Sequence, residues 1–113
     1  SSAAIADTPT GVLVAWETDG QVSYASSSGE SKPVAAPGNT SRRKHPAIAG
    51  NAAGEVILVW TEGIGWNRGG SVAWQVFDKN GRPTQEKGLT SGVPTWSLVS
   101  VFALPNGRFT IVY

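Results

Sequence analysis

Apolar positions along the chain fall in short runs broken by glycine, proline and small polar residues. Three paired runs line up. Ala4-Ile5-Ala6 leads through a polar turn to Val12-Leu13-Val14-Ala15-Trp16. Ala47-Ile48-Ala49 leads to Val56-Ile57-Leu58-Val59-Trp60. Val99-Ser100-Val101-Phe102 leads to Phe109-Thr110-Ile111-Val112-Tyr113. Each pair reads as strand, turn, strand, with a turn glycine at Gly11, Gly54 and Gly107 and a closing aromatic at Trp16, Trp60 and Tyr113. Between them lies a second shared piece. Ser23-Tyr24-Ala25-Ser26 runs through a glycine-containing turn to Lys32-Pro33-Val34, and Ala73-Trp74-Gln75-Val76-Phe77 runs through Asp78-Lys79-Asn80-Gly81 to Arg82-Pro83-Thr84. Asn-Gly is a strong hairpin signal because both residues tolerate positive φ. No segment carries a sustained helical period with caps, so no substantial helix is expected.

The pattern therefore predicts an all-β chain built from an antiparallel four-strand unit, present about two and a half times, over residues of about 3–38, 46–90 and a partial 97–113. The turn glycines are spaced by about 43 and then about 53 residues, within the range of propeller blades. A plain β-sandwich is an alternative. A β-trefoil is another, although it would require a complete third unit.

Composition narrows the class. Apolar residues make up 40% of the chain and charged residues 15%, with a net charge of +1. That balance leaves no electrostatic footprint for nucleic acid or for a membrane surface. No apolar run approaches the length needed to span a bilayer, so a soluble chain is expected. There is no cysteine, which excludes disulfides and thiolate metal sites. No methionine and no basic-plus-apolar leader is present, and the reading is of a processed or excised piece of a longer chain.

The ordered pieces carry a family resemblance. Tyr24-Ala25-Ser26-Ser27-Ser28-Gly29, then Lys32-Pro33-Val34, His45-Pro46-Ala47-Ile48-Ala49 and Gly54-Glu55-Val56-Ile57-Leu58-Val59-Trp60 resemble blades of the sialidase-like (BNR, Asp-box) β-propellers. The family's Asp-box, roughly Ser-x-Asp-x-Gly-x-Thr-Trp, is degenerate here at Ser26-Ser27-Ser28-Gly29 and at Phe77-Asp78-Lys79-Asn80-Gly81. The resemblance implies antiparallel four-stranded propeller blades in an incomplete ring. The ring's partners would be the remaining blades of a parent chain or copies of this chain. An extracellular or periplasmic location follows from the resemblance alone.

The same resemblance puts three irregular segments, 39–46, 62–70 and 91–96, on one face. They hold the ligand-binding candidates Arg42, Arg43, Lys44, His45, Glu62, Trp66, Arg68 and Trp96. Cations and aromatics on loops of a rigid scaffold are the usual form of a binding site. Arg42-Arg43-Lys44 could hold a carboxylate, phosphate or sulfate through charge-assisted bonds. Trp66 could stack on a sugar ring. His45 precedes Pro46 and is expected to be extended. Trp16, Trp60 and Trp74 are expected in the core between units. Metal binding has no support from one His, no Cys and scattered acids, and no cofactor is expected.

A sialidase-type hydrolase needs an arginine set and a Tyr nucleophile paired with a Glu. Its entry motif, Arg-Ile-Pro, finds only Lys44-His45-Pro46 here, with Arg43 one residue earlier. Tyr24 and Tyr113 are the only tyrosines, and both sit at strand positions. The expected function is thus a non-catalytic binding or interaction module, with a carbohydrate or an acidic small molecule as its ligand. The alternatives are a fragment of a sialidase-like hydrolase whose catalytic residues lie outside this chain, and a self-assembling structural piece.

Overall fold

The computed structural model describes residues 3–27, 32–38, 42–63, 70–93 and 99–113. Ten strands run in chain order: β1 (Ala3–Thr8), β2 (Gly11–Thr18), β3 (Gln21–Ser26), β4 (Val34–Ala35), β5 (Arg43–Gly50), β6 (Val56–Glu62), β7 (Gly70–Phe77), β8 (Pro83–Val93), β9 (Ser100–Ala103) and β10 (Phe109–Val112). They form three antiparallel sheets in meander order, of four, four and two strands. These are sheet 1 (β1–β4), sheet 2 (β5–β8) and sheet 3 (β9–β10). No helix occurs among the described residues. The all-β, antiparallel reading therefore holds for the described residues.

The repeated turns have one geometry. In the β5–β6 turn, Asn51 N–H donates to the Glu55 carbonyl and Gly54 N–H to the Asn51 carbonyl. The β7–β8 turn repeats this pair of bonds at Asp78, Gly81 and Arg82, and the β9–β10 turn repeats it at Leu104, Gly107 and Arg108. Gly54, Gly81 and Gly107 hold φ of 84°, 76° and 86°. Such a left-handed residue closes a type I turn into a hairpin bulge and favours glycine. The first hairpin is one residue shorter, since Thr8 pairs directly with Gly11.

Packing follows the two faces of each pleated sheet. One face of sheet 1 carries Leu13, Ala15, Val22 and Tyr24, with Ala4 and Ala6 beside them. It packs on Ile48, Val56, Leu58, Trp60, Ala73 and Phe77 of sheet 2. The Tyr24 and Phe77 rings lie 5.0 Å apart, tilted by 57°. The other face of sheet 2 carries Ala47, Ala49, Ile57, Val59, Val72 and Val76. It packs on Val99, Val101, Phe109 and Ile111 of the third unit. Strand β5 is the hub, touching β1, β2 and β3 on one side and β9 on the other.

One expectation about the core changes. Trp60 is buried and Trp74 packs at the edge of the second cluster. Trp16, however, alternates out of phase with the buried Leu13 and Ala15 of its strand and is only half-buried, on the face turned away from sheet 2. The fourth strand of the first unit is also short, limited to Val34–Ala35.

Candidate functional site

The antiparallel meander places the β2–β3 turn, the start of β5 and the end of β6 at the same end of the sheets. Most of the sequence candidates gather there. Arg42, Arg43, Lys44, His45 and Glu62 are among the described residues, whereas Trp66, Arg68 and Trp96 lie outside them.

Segment 39–46 was expected to be irregular, but Arg43–Pro46 belong to β5. Arg43 pairs with Glu62 and Lys44 with Thr61, and pairing resumes at Ala47 with Val59. His45 and Pro46 thus face Trp60 alone, so β5 bulges by one residue. His45 is not extended: its φ is 52°, and Arg42 holds φ 66°. A bulge needs one residue outside the strand geometry and re-aims the chain around it, which overrides the usual preference before proline. Thr61 closes the bulge by donating its hydroxyl to the Lys44 carbonyl at 3.1 Å. The third segment also changes, because Ser91–Val93 continue β8.

Arg43 and Glu62 come together in a built cluster. The Arg43 side chain is only 4% exposed. Its Nε donates to Glu62 Oε2 at 3.3 Å. Its Nη1 donates to Gln21 Oε1 and to the Ala36 carbonyl, each at 3.2 Å, and its Nη2 to the Pro37 carbonyl at 2.6 Å. The guanidinium carbon sits 5.0 Å from the Trp60 ring centroid, within cation–π range. The Trp60 indole N–H donates at 2.8 Å to the same Glu62 oxygen. Arg43 N–H donates to the Gly20 carbonyl at the tip of the β2–β3 turn. Gly38, at φ 87°, passes so close that a Cβ there would lie 3.1 Å from Nη2.

One planar cation therefore bolts sheet 1, through Gln21, Ala36 and Pro37, to sheet 2, through Trp60 and Glu62. Its fork geometry suits this use. Arg42 and Lys44, its neighbours in the chain, are exposed, and His45 is half-buried. The candidates thus divide into an inward Arg43–Glu62 pair and an outward Arg42, Lys44 and His45. Sequence reasoning missed Gln21 and Trp60 as members of the cluster. For Trp60 a signal existed, since Trp60 and Glu62 lie two apart on one strand and so share a face.

A second feature was not foreseen. A groove of about 1390 Å³ lies among the first strands of the three sheets. Its walls include Ile5 of β1, Ile48 of β5 and Phe102 of β9, and the turns at Pro9, Asn51–Ala53 and Leu104–Arg108 border it. Those turns lie at the end opposite the Arg43 cluster. Asn51 ties two of them together, donating from Nδ2 to the Gly107 carbonyl at 3.0 Å and to Glu55 Oε1 at 2.8 Å.

Tyr24 belongs to the core between sheets 1 and 2. It is buried there, and burial first, with the Asp78 charge second, pushes its pKa up to about 12. Among the described residues, no three His, Asp or Glu side chains gather where they could hold a metal ion. Comparison with protein-family models, curated proteins and solved structures returned no match.

Proposed function

We propose that the chain is a set of blades from a sialidase-like propeller, acting as a non-catalytic module that binds an acidic ligand, such as a carboxylated sugar, at its Arg43 end. Consecutive meander sheets whose first strands border a common groove support the blade reading. The observation that carries the ligand reading is the pair of left-handed residues, Arg42 and His45, flanking exposed Lys44. Each such conformation costs about 1–3 kcal/mol and persists only where the surroundings enforce it. The bonds of buried Arg43 anchor the stretch between them, and the result is an exposed cationic rim. Arg42 and Lys44 would meet a carboxylate through charge-assisted bonds. Burial of Tyr24 lends the non-catalytic part partial support, because a phenol buried between sheets is a poor nucleophile, whereas Tyr113 is exposed.

The test is a titration with glucuronate and with N-acetylneuraminate, followed by backbone amide NMR shifts. The expected result is a shift at Arg42, Lys44 and His45 that shrinks with added salt. The shift should vanish in the Arg42→Ala/Lys44→Ala double variant. Equal shifts in the variant and the parent would overturn the reading, as would none at these positions with millimolar ligand.

A further inference from the structure

The three sheets present non-equivalent faces, and they stack in one sense. Aligning the closing aromatics Trp16, Trp60 and Tyr113 makes Leu13 and Ala15 correspond to Ile57 and Val59, and to Thr110 and Val112. Cross-strand pairs extend the match: Ile5 faces Val14, Ile48 faces Leu58 and Val101 faces Ile111. Each sheet thus has a leading face, marked by Ile5, Ile48 or Val101, and a trailing face, marked by Leu13, Ile57 or Thr110. The trailing face of sheet 1 covers the leading face of sheet 2, and the trailing face of sheet 2 covers the leading face of sheet 3.

This rule leaves one face of each kind open. The open leading face of sheet 1 carries Ile5, Val14 and Trp16. Ile5 is 76% exposed where its counterpart Ile48 is 5% exposed. The open trailing face of sheet 3 carries Phe102 and Val112, at 55% and 52%. Their counterparts Ala49 and Val59 are buried. Large apolar residues left this bare at equivalent positions mark an interaction surface.

We infer that the leading face of sheet 1 is covered in solution by the trailing face of sheet 3 from a second copy of this chain. The occupant follows from the chain's own internal interfaces. Every covered leading face meets a trailing face, and each copy offers one of each. Such a contact is heterologous, so it closes into a ring or extends. Both open faces border the groove through Ile5 and Phe102, which favours closure around it. This inference is independent of what the cationic rim binds.

The test is light scattering on the full chain from micromolar to millimolar concentration. The expected mass rises above the 11.8 kDa of one chain in whole multiples. Ile5→Arg alone and Phe102→Arg alone should each read as one chain. Mixed in equal amounts they should recover a two-chain complex, because the first variant keeps its trailing face and the second its leading face. Far-UV circular dichroism checks that each variant folds, and Val112→Arg replaces Phe102→Arg if it does not. A parent chain that stays at 11.8 kDa throughout, or a mixture that forms no complex, would overturn the inference.

Discussion

Replacing Arg43 by alanine tests the physical centre of the Arg43 end. The substitution deletes a buried cation with four side-chain hydrogen bonds and one aromatic contact. Breaking a buried ion pair from one side costs about 3–5 kcal/mol, because the remaining charge is stranded. Glu62 is 16% exposed and keeps the Trp60 indole bond, so its share falls at the lower end. The cation–π contact adds about 1 kcal/mol, and the buried Ala36 carbonyl loses its guanidinium donor at a cost of about 1 kcal/mol or more. A loss of about 5 kcal/mol is expected, a large fraction of the stability of a domain of this size. Arg43→Lys should recover little, since an ammonium cannot span Glu62, Gln21 and two carbonyls at once. Arg43→Met combined with Glu62→Gln should cost clearly less than the sum of the two single changes, because the double variant strands no charge. Urea unfolding followed by tryptophan fluorescence measures the unsubstituted chain and all five variants. A loss below about 1 kcal/mol for Arg43→Ala, or strict additivity in the double variant, would refute the account of Arg43 as the bolt between sheets.

Two further outcomes are expected. Tyr24 has a folded pKa of about 12 against an ordinary 10, so its contribution is fully present below pH 10 and is lost as pH rises from 10 through 12. Fully ionised, it should cost the fold about 3 kcal/mol. Urea midpoints across that window should fall more for the parent chain than for Tyr24→Phe, and parallel falls would count against the burial of a neutral phenol. Gly88 faces Trp74 across β7 and β8, and a Cβ at Gly88 would overlap the indole ring. Gly88→Ala should therefore destabilise by about 1–3 kcal/mol, read as a lowered thermal midpoint; an unchanged midpoint would mean that the ring does not lie over the glycine.

Much of the backbone plan was legible in the linear order of residues. Period-two alternation and turn glycines are local properties, and Gly54, Gly81 and Gly107 all take the left-handed turn conformation that their positions suggest. The Asp19-Gly20 dipeptide carries the same kind of signal, and both residues take positive φ in the β2–β3 turn. The candidate site was legible only as a neighbourhood. Arg42-Arg43-Lys44 reads as one cationic run, yet in a strand successive side chains point to opposite faces. Arg43 turns inward to Glu62, and its neighbours Arg42 and Lys44 remain exposed.

Local chemistry could therefore specify strands, turns and a repeat, because each depends on neighbours a few residues away. It could not say which face of each sheet would be covered. Trp16 and Trp60 occupy matching places in the repeat, but only Trp60 meets another sheet of this chain through its face. Nor could it reveal that a bulge at His45 turns a loop candidate into part of β5, or that one arginine would be consumed joining two sheets. Those outcomes depend on register and on which sheet lies next to which, and both are set by contacts between residues distant in the chain.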